Sequence, residues 1–311
     1  MKRFCCVLIL TAAAFRPALS KKESNPFLGR WDLDVTAPNA AYPGWMEVTE
    51  KDGSLGARVQ PRGGSARTAT SVSVDGSHLT LVFTPAGPKA SPMTWEANFA
   101  LDRIAGSQKR GDTVLAEFTG VRAPALKRKA PKAWTAPESL FNGKDLSGWE
   151  PDNPAINHWV ARDGVLLDES KGANLKTTQK FDDFKLHIEF NCPDDGNSGV
   201  YLRGRYEIQV EYVPPGIEDK FHIMGSIYGL VAPSVELPRK TGQWESFDVT
   251  LVGRWVTVVR NGVTTIDNQE IPGITGGALD SKEGQPGPFY LQGDHTGGMM
   301  YRNITIALPK R

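Results

Sequence analysis

The sequence predicts an all-β protein of two domains. Short segments with alternating apolar and polar residues run through the chain, and turn pairs such as Asp52-Gly53 and Asn261-Gly262 separate them. No segment of convincing length repeats its apolar residues with the 3.6-residue period of a helix. At 311 residues the chain exceeds the size at which one hydrophobic core is most comfortable, so we expect two domains of antiparallel strands.

Residues 1–20 have the composition of a secretory signal peptide. Lys2 and Arg3 precede an apolar run from Phe4 to Phe15, and small residues follow up to Ser20. The apolar run is shorter than the ~20 residues that a membrane-spanning helix needs. We therefore expect an exported, periplasmic or extracellular protein without stable membrane insertion after signal removal.

Charge and motif content exclude several classes of protein. The chain has 36 basic and 35 acidic residues, so no overall field attracts nucleic acid or an anionic membrane. A P-loop, a GxGxxG motif after a strand, a His-Glu-x-x-His motif and a CxxC motif are all absent from the sequence. No nucleic-acid partner and no nucleotide or redox cofactor is therefore expected.

Residues 25–122 form the first predicted domain. Alternating segments such as "GRWDLDV", "HLTLVF" and "MTWEANFA" are separated by turn residues, which predicts a small antiparallel barrel or sandwich. This half of the sequence shows no cluster of acidic residues and histidines. An accessory or binding role is therefore favoured over a catalytic one.

A proline-rich and basic segment, residues 123–137, follows the first domain. Its sequence, "APALKRKAPKAWTAP", combines three prolines with a run of lysine and arginine. Sequence of this kind is typical of a stiffened, exposed linker, so the domain boundary is predicted here.

Residues 138–308 form the second predicted domain. The strand pattern continues with a higher proportion of apolar residues. Asn261-Gly262 between "WVTVV" and "VTTI" is the strongest hairpin signal in the chain. Glycines and prolines are spread through the turns, 32 and 22 of them in the whole sequence. The pattern predicts an all-β sandwich or jelly roll.

The segment "NSGVYLRGRYEIQVEY", residues 197–212, carries apolar residues on one parity and polar residues on the other. The polar set is Tyr201, Arg203, Arg205, Glu207, Gln209 and Glu211. Such alternation is explained by a solvated sheet face with cross-strand ion pairs. It is explained equally by a concave face whose directional hydrogen bonds recognise hydroxyls and carbonyls. The residues alone leave both explanations open.

A second group of polar residues follows the strand in "FYLQGDHTGG". Gln292, Asp294 and His295 are placed near the rim of a sheet, next to a glycine-rich loop. Histidine titrates near pH 6.5, which suits proton transfer at neutral pH. A polar turn explains the spacing as well.

The second half of the chain resembles the 3-keto-disaccharide hydrolase domain family. The motifs that carry the resemblance occur in family order across residues 138–308 and do not extend to residues 25–122. They are "SLFNGKDLSGW" (139–149), "WVARDGVL" (159–166), "NSGVYLRG" (197–204), "YEIQV" (206–210), "GSIYGLVAP" (225–233), "WESFDVTLVGRWVTVVRNGV" (244–263) and "FYLQGDHTGGMMYRNITI" (289–306).

The resemblance implies a concanavalin A-like jelly roll whose concave face binds carbohydrate. It also implies cleavage of glycosides that a separate sugar 3-dehydrogenase has oxidised to a ketone at C3. Such a ketone acidifies the C2 proton, so a base can remove it and the C1 substituent can leave with help from an acid. Hydration then completes a hydrolysis, whereas stopping earlier makes the enzyme a lyase. A noncatalytic, lectin-like protein and an ordinary two-carboxylate glycosidase are the alternatives.

The resemblance also implies roles for individual residues. Arg203 is expected to bind substrate oxygens or the enolate, and Glu207 and His295 are expected to be base and acid, in either order. The other expected site residues position hydroxyls or a metal ion, or order the loop beside Arg203: Asn197, Gln209, Tyr228, Gln292 and Asp294. The identity of any metal is unknown, and a divalent ion stays open.

Overall fold

The computed structural model describes residues 25–85, 91–213 and 219–310, in which the chain is built from antiparallel strands. The predicted signal peptide lies outside the described residues. Within those three ranges, no helix is long and apolar enough to cross a membrane. The prediction of an all-β fold is confirmed.

The first domain is a nine-stranded antiparallel sheet. Its strands are β1 (Gly29–Ala37), β2 (Ala40–Lys51), β3 (Ser54–Val59), β4 (Arg67–Thr68), β5 (Ser71–Asp75), β6 (His78–Phe83), β7 (Met93–Ala100), β8 (Arg103–Arg110) and β9 (Thr113–Arg122). The order across the sheet is β4-β3-β2-β1-β9-β8-β7-β6-β5. Only residues 69–70 separate β4, which pairs with β3, from β5, which pairs with β6. The two edges therefore meet, and the sheet closes into a barrel.

Alternation along each strand fills the barrel interior. Trp31, Leu33 and Val35 on β1 are buried, as the period of two predicts. The rings of Trp95 and Phe118 pack against each other with centroids 5.4 Å apart. The barrel thus has its own hydrophobic core.

The second domain is a sandwich of two antiparallel sheets. Its strands are β10 (Glu138–Ser139), β11 (Trp149–Pro151), β12 (Trp159–Arg162), β13 (Val165–Asp168), β14 (Leu175–Thr177), β15 (Phe184–Asn191), β16 (Asn197–Leu202), β17 (Tyr206–Glu211), β18 (Trp244–Val252), β19 (Trp255–Arg260), β20 (Val263–Glu270), β21 (Tyr290–Leu291) and β22 (Met300–Ala307). The larger sheet has the order β12-β13-β22-β15-β18-β19-β20, with β10 beside β22. The smaller sheet has the order β11-β14-β21-β16-β17, and one 3-10 turn spans Pro154–Ile156.

Aromatic side chains hold the two sheets together. Phe190 stacks on Phe247 with ring centroids 4.5 Å apart, and Phe184 meets Phe289 edge to face at 4.7 Å. These contacts join strands of the larger sheet to each other and to the chain that enters β21. The smaller sheet is thereby fixed as one wall of the sandwich, and the candidate site lies on its other face.

The barrel docks tightly on the sandwich. Trp45 on β2 is buried in the hydrophobic core of the second domain, and its Nε1 donates to the carbonyl of Ile274 at 2.8 Å. A Cβ at Gly273 would lie 2.7 Å from the Trp45 ring, so glycine is needed there for the close approach. Ser281 also donates to Asp34 at 3.0 Å across the interface.

The connecting segment, residues 123–137, lies along the second domain instead of spanning open solvent. Arg128 Nη1 lies 2.6 Å from an oxygen of Asp182 and 2.8 Å from one of Asp183. Three lysines of the segment are exposed, namely Lys127, Lys129 and Lys132. The segment is therefore anchored through its arginine, while its lysines face water.

Candidate active site

A polar pocket lies on the face of the smaller sheet that points away from the sandwich core. The side chains come from one parity of two paired strands, in the cross-strand pairs Asn197 with Glu211, Gly199 with Gln209, and Tyr201 with Glu207. The pocket has a volume of about 360 Å³. Glu207 and Gln209 are only 3% and 2% exposed, so this polar face is not a solvated sheet surface.

The pocket brings together most of the residues predicted from the sequence. Those that line it are Asn197, Glu207, Gln209, Tyr228, Gln292, Asp294 and His295. Tyr201 and Glu211 also line it. Both belong to the polar set of the alternating pattern in β16 and β17, and that pattern could have identified them as site residues. The barrel loop at residues 62–64 and the glycines at 276–277 complete the lining, and no sequence motif marks them.

Glu207 is held in its protonated form. Burial raises the pKa of Glu207 to about 8; the hydrogen bond from Tyr201 opposes this, and the charges of Asp294 and Glu211 add to it. Tyr201 Oη lies 2.9 Å from Glu207 Oε2 and 2.8 Å from the carbonyl oxygen of Gly276. Tyr201 has one hydroxyl proton and two acceptors within reach, so it donates either to Glu207 or to the carbonyl of Gly276. The raised pKa therefore favours a Glu207 carboxyl group that keeps its proton near neutral pH.

Gly199 makes room for this carboxyl group. A Cβ at position 199 would lie 2.4 Å from Glu207 Oε1 and 2.9 Å from its carboxyl carbon. The absence of a side chain therefore lets the Glu207 carboxyl lie across β16.

Asp294 and His295 form a neighbouring pair in which the carboxylate orients the imidazole. His295 Nδ1 lies 2.6 Å from Asp294 Oδ1, and both side chains are about half exposed. This hydrogen bond lowers the pKa of Asp294 and raises the pKa of His295. The side-chain oxygen of Asn174 accepts from the amides of Gly293 at 2.8 Å and Asp294 at 3.3 Å, which fixes the loop. The other ring nitrogen of His295, Nε2, is left available for a proton.

Two glutamines provide buried hydrogen-bond acceptors. Gln209 Nε2 donates to Glu211 Oε2 at 2.7 Å. The side-chain oxygens of Gln209 and Gln292 are buried and have no hydrogen-bond partner among the residues that the structure describes. Burying an unpaired acceptor costs about 1–3 kcal/mol, so these two oxygens fit a ligand with hydroxyl donors.

The structure shows which residues Asn197 and Tyr228 contact. The amide of Asn197 donates to Thr296 Oγ1 at 2.7 Å, and Thr296 Oγ1 donates to the carbonyl of Asn197 at 3.2 Å. The backbone of Asn197 thus ties β16 to the loop that carries His295, and the residue also lines the pocket. The Tyr228 ring meets His222 edge to face at 4.7 Å and forms another part of the wall.

Arg203 does not lie in the pocket, so the predicted contact of this residue with the substrate is wrong for this structure. Its side chain is fully buried, where Nη1 pairs with Asp182 at 3.1 Å and Nη2 donates to the carbonyl of Gly253 at 2.7 Å. The backbone of Arg203 has a φ of 54°, because it enters the turn between β16 and β17. The turn breaks the alternation of the strand and sends the side chain into the protein.

No group of three or more His, Cys, Asp or Glu side chains that could hold a metal ion occurs within residues 25–85, 91–213 and 219–310. The pocket carboxyl groups instead have partners within the protein: Tyr201 for Glu207, Gln209 for Glu211 and His295 for Asp294.

A jelly-roll sandwich with this pocket defines a carbohydrate-active protein with a hydrolase-like domain. The chain belongs to the family described as the 3-keto-alpha-glucoside-1,2-lyase-like domain, which matches residues 136–307, over half of the sequence. The resemblance predicted for residues 138–308 is thereby confirmed.

The chain is also similar to several solved structures. A candidate glycosyl hydrolase from Parabacteroides distasonis ATCC 8503 is 30% identical, with a TM-score of 0.48 over 58% of this chain and 92% of that chain. A second from the same organism is 20% identical, with a TM-score of 0.44 over 55% and 92%. A carbohydrate binding module from Bacillus subtilis is 11% identical, with a TM-score of 0.34 over 52% and 96%. The comparison with curated proteins gives no match.

Proposed function

We propose that the protein cleaves glycosides, including disaccharides, that carry a ketone at C3 of the sugar. The reaction is removal of the C2 proton, expulsion of the C1 substituent and addition of water. The observation that carries the proposal is the presence, in one pocket, of a buried carboxyl group with a raised pKa, Glu207, and a carboxylate-oriented imidazole, His295. Membership of the family supports the substrate class.

His295 is the base of this mechanism. Its Nε2 takes the C2 proton, and the electrons of the C–H bond form a C2–C3 double bond with negative charge on the C3 oxygen. The hydrogen bond from Nδ1 to Asp294 stabilises the imidazolium that forms, in the way a buried or half-buried carboxylate supports other catalytic histidines.

Glu207 is the acid. As the C3 carbonyl forms again and a C1–C2 double bond develops, the C1–O bond breaks and Glu207 gives its proton to the departing oxygen. Water then adds across the double bond, with its hydroxyl on C1 and a proton on C2, which restores Glu207 and His295. The sum is hydrolysis of the glycosidic bond, and no oxidant or reductant is consumed.

The pocket is less suited to ordinary glycosidase chemistry. That mechanism uses a second, free carboxylate as a nucleophile or as the base for water. Here one oxygen of Asp294 and one oxygen of Glu211 already accept hydrogen bonds, from His295 at 2.6 Å and from Gln209 at 2.7 Å. The unpaired oxygens of Gln209 and Gln292 bind sugar hydroxyls in the proposed complex.

The ketone must be supplied by another enzyme, because this sequence carries no dinucleotide-binding motif. We propose a separate sugar 3-dehydrogenase as the source. We also propose that the protein acts after export, which rests on the composition of residues 1–20.

Aglycone release tests the proposed function. The purified protein is incubated with a 3-keto-glucoside that bears a chromogenic aglycone and with the unoxidised parent glucoside, each with and without EDTA. Release is expected from the ketone alone, and loss of release with EDTA would show a metal requirement. Release from both substrates would indicate ordinary glycosidase chemistry. Saturable sugar binding without release from either would indicate a noncatalytic carbohydrate-binding protein.

Three variants test whether the pocket residues are responsible for aglycone release. Glu207→Gln and His295→Asn should each lower kcat by at least 100-fold, in the range of general acid–base contributions. His187→Asn is the matched control, because His187 on the larger sheet pairs with Asp248 at 2.7 Å but lies outside this pocket. Full activity in both pocket variants would contradict the assigned roles.

A further inference from the structure

We propose that Arg62, a residue of the barrel, completes the substrate site of the sandwich. In this proposal its guanidinium binds the C3 oxygen of the substrate and stabilises the enolate. The inference rests on the proposed function for its chemistry, and on the geometry of the docked barrel for its place.

Arg62 lines the same cavity as Glu207 and His295. The other charged side chains of that cavity are three carboxyl groups and one imidazole, so Arg62 is the one guanidinium or ammonium group among its described lining residues. It takes part in none of the ion pairs that the described residues form. Its positive charge is therefore available to a ligand.

The barrel loop that carries Arg62 has a defined shape. Gln60 is buried, and its Nε2 donates to the carbonyls of Pro61 at 3.0 Å and Gly64 at 2.8 Å, which bracket Arg62. The amide of Gly277 donates to the carbonyl of Arg62 at 3.4 Å. The backbone of Arg62 is thus held from both domains, while its side chain is exposed.

The sandwich is shaped to receive this loop. A Cβ at Gly276 would lie 2.7 Å from the carbonyl oxygen of Gly64, and one at Gly229 would lie 2.7 Å from Ser65 Oγ. Ser65 Oγ also forms a hydrogen bond with His222 Nε2. Glycines at both contact points let the backbone of the loop come close enough to form a wall of the pocket.

The reaction needs a cation at this place. Removing the C2 proton puts negative charge on the C3 oxygen, in a pocket that already contains Asp294 and Glu211. Arg203 cannot balance that charge, because its guanidinium is buried against Asp182 and Gly253. Arg62 can, since a guanidinium donates directional, charge-assisted hydrogen bonds to an oxyanion.

The test compares Arg62→Ala and Arg62→Lys with Arg67→Ala in the full chain. Arg67 is an exposed arginine at the start of β4 that does not line the pocket. Arg62→Ala should lower kcat on the 3-keto-glucoside by about 100-fold, the usual effect of losing one oxyanion donor. Arg62→Lys should restore part of that loss, and Arg67→Ala should behave as wild type.

A binding measurement keeps this inference separate from the proposed function. In the Glu207→Gln background, calorimetry with the intact 3-keto-glucoside should show a Kd about tenfold weaker after Arg62→Ala, since a charge-assisted hydrogen bond is lost. Wild-type protein without turnover would overturn the proposed function, and the Kd comparison would still decide the place of Arg62. An unchanged Kd, or turnover in Arg62→Ala equal to that in Arg67→Ala, would overturn the inference.

Discussion

Glu207 and His295 lie in one pocket, and their neighbours favour the role of acid for Glu207 and the role of base for His295. Burial keeps the Glu207 carboxyl neutral, with a pKa of about 8, while contact with Asp294 makes His295 a stronger base. Asp294 acts on both groups, because its charge raises the pKa of each. Because Asp294 affects both pKa values, replacing it should change the pH dependence of the reaction.

Asp294→Asn should shift the whole pH profile of kcat/KM to lower pH. The acid limb reflects protonation of His295 and the alkaline limb reflects ionisation of Glu207. Loss of the Asp294 charge lowers both pKa values, so both limbs move in the same direction, and the rate at neutral pH falls by roughly tenfold or more as the imidazole loses its support. Steady-state rates across the pH range measure this. Limbs that stay in place, or that move apart, would contradict the assignment.

Gly199→Ala should impair catalysis by displacing Glu207. The new methyl group would lie 2.4 Å from Glu207 Oε1, so the carboxyl group has to move away from Tyr201. We expect a decrease in kcat of at least tenfold with a smaller effect on KM, because proton transfer needs the acid within hydrogen-bond reach of the departing oxygen. Kinetics on the chromogenic ketone measure both constants, and a wild-type kcat would contradict the place assigned to Glu207.

At the scale of single elements, the β16–β17 hairpin shows what alternation can and cannot predict. Period-two patterning places Glu207 and Gln209 on one face correctly, because both lie within a regular strand. It fails at Arg203, where positive φ and the ion pair with Asp182 take the side chain out of the alternation. The direction of a side chain in such a turn depends on tertiary contacts, and the local sequence does not specify those contacts.

Arg203→Ala should therefore lower stability rather than catalysis. The substitution leaves the carbonyl of Gly253 without its charged donor and removes one of the two arginine partners of Asp182, the other being Arg128, which costs on the order of 2 kcal/mol. Urea unfolding measures this loss, and kcat should stay within a few-fold of wild type. A 100-fold lower kcat at unchanged stability would instead restore the role first expected for Arg203.

At the scale of the whole molecule, the barrel and the sandwich share an interface and both line the candidate site. Trp45 of the barrel is buried in the core of the sandwich, and Arg62 reaches the pocket. The sequence predicts two β domains, but it does not show that they share a site, because alternating patterns describe each sheet separately. The barrel thus contributes residues to the pocket lining, and its accessory or binding role stays a prediction.

The domain interface should also make stability depend on pH. Burial, together with the nearby Glu283 carboxylate, raises the pKa of Asp32 to about 8 in the folded protein. Between the ordinary pKa of an aspartate, about 3.9, and this value, the folded state holds a proton that the unfolded state releases, so stability falls as pH rises through that window.

Asp32→Asn should flatten this dependence, because asparagine resembles the protonated carboxyl group. The urea midpoint, followed from about pH 5 to about pH 9, should fall less in the variant than in wild type. Asp75→Asn is the control, since Asp75 is exposed at the end of β5. Equal pH dependence in Asp32→Asn and wild type would contradict the shared burial at this interface.

The fate of the C2 hydrogen tests the central claim most directly. A 3-keto-glucoside labelled with deuterium at C2 is cleaved by the enzyme in ordinary water at short times, beside a control without enzyme, and the released 3-keto sugar is analysed by mass spectrometry. Because the half-exposed His295 exchanges the deuterium that it takes from C2 with water before C2 is protonated again, the account predicts that the deuterium is replaced by hydrogen from solvent in step with aglycone release. Aglycone release with the deuterium retained at C2 would show that the C1–O bond breaks without elimination, and would contradict the account.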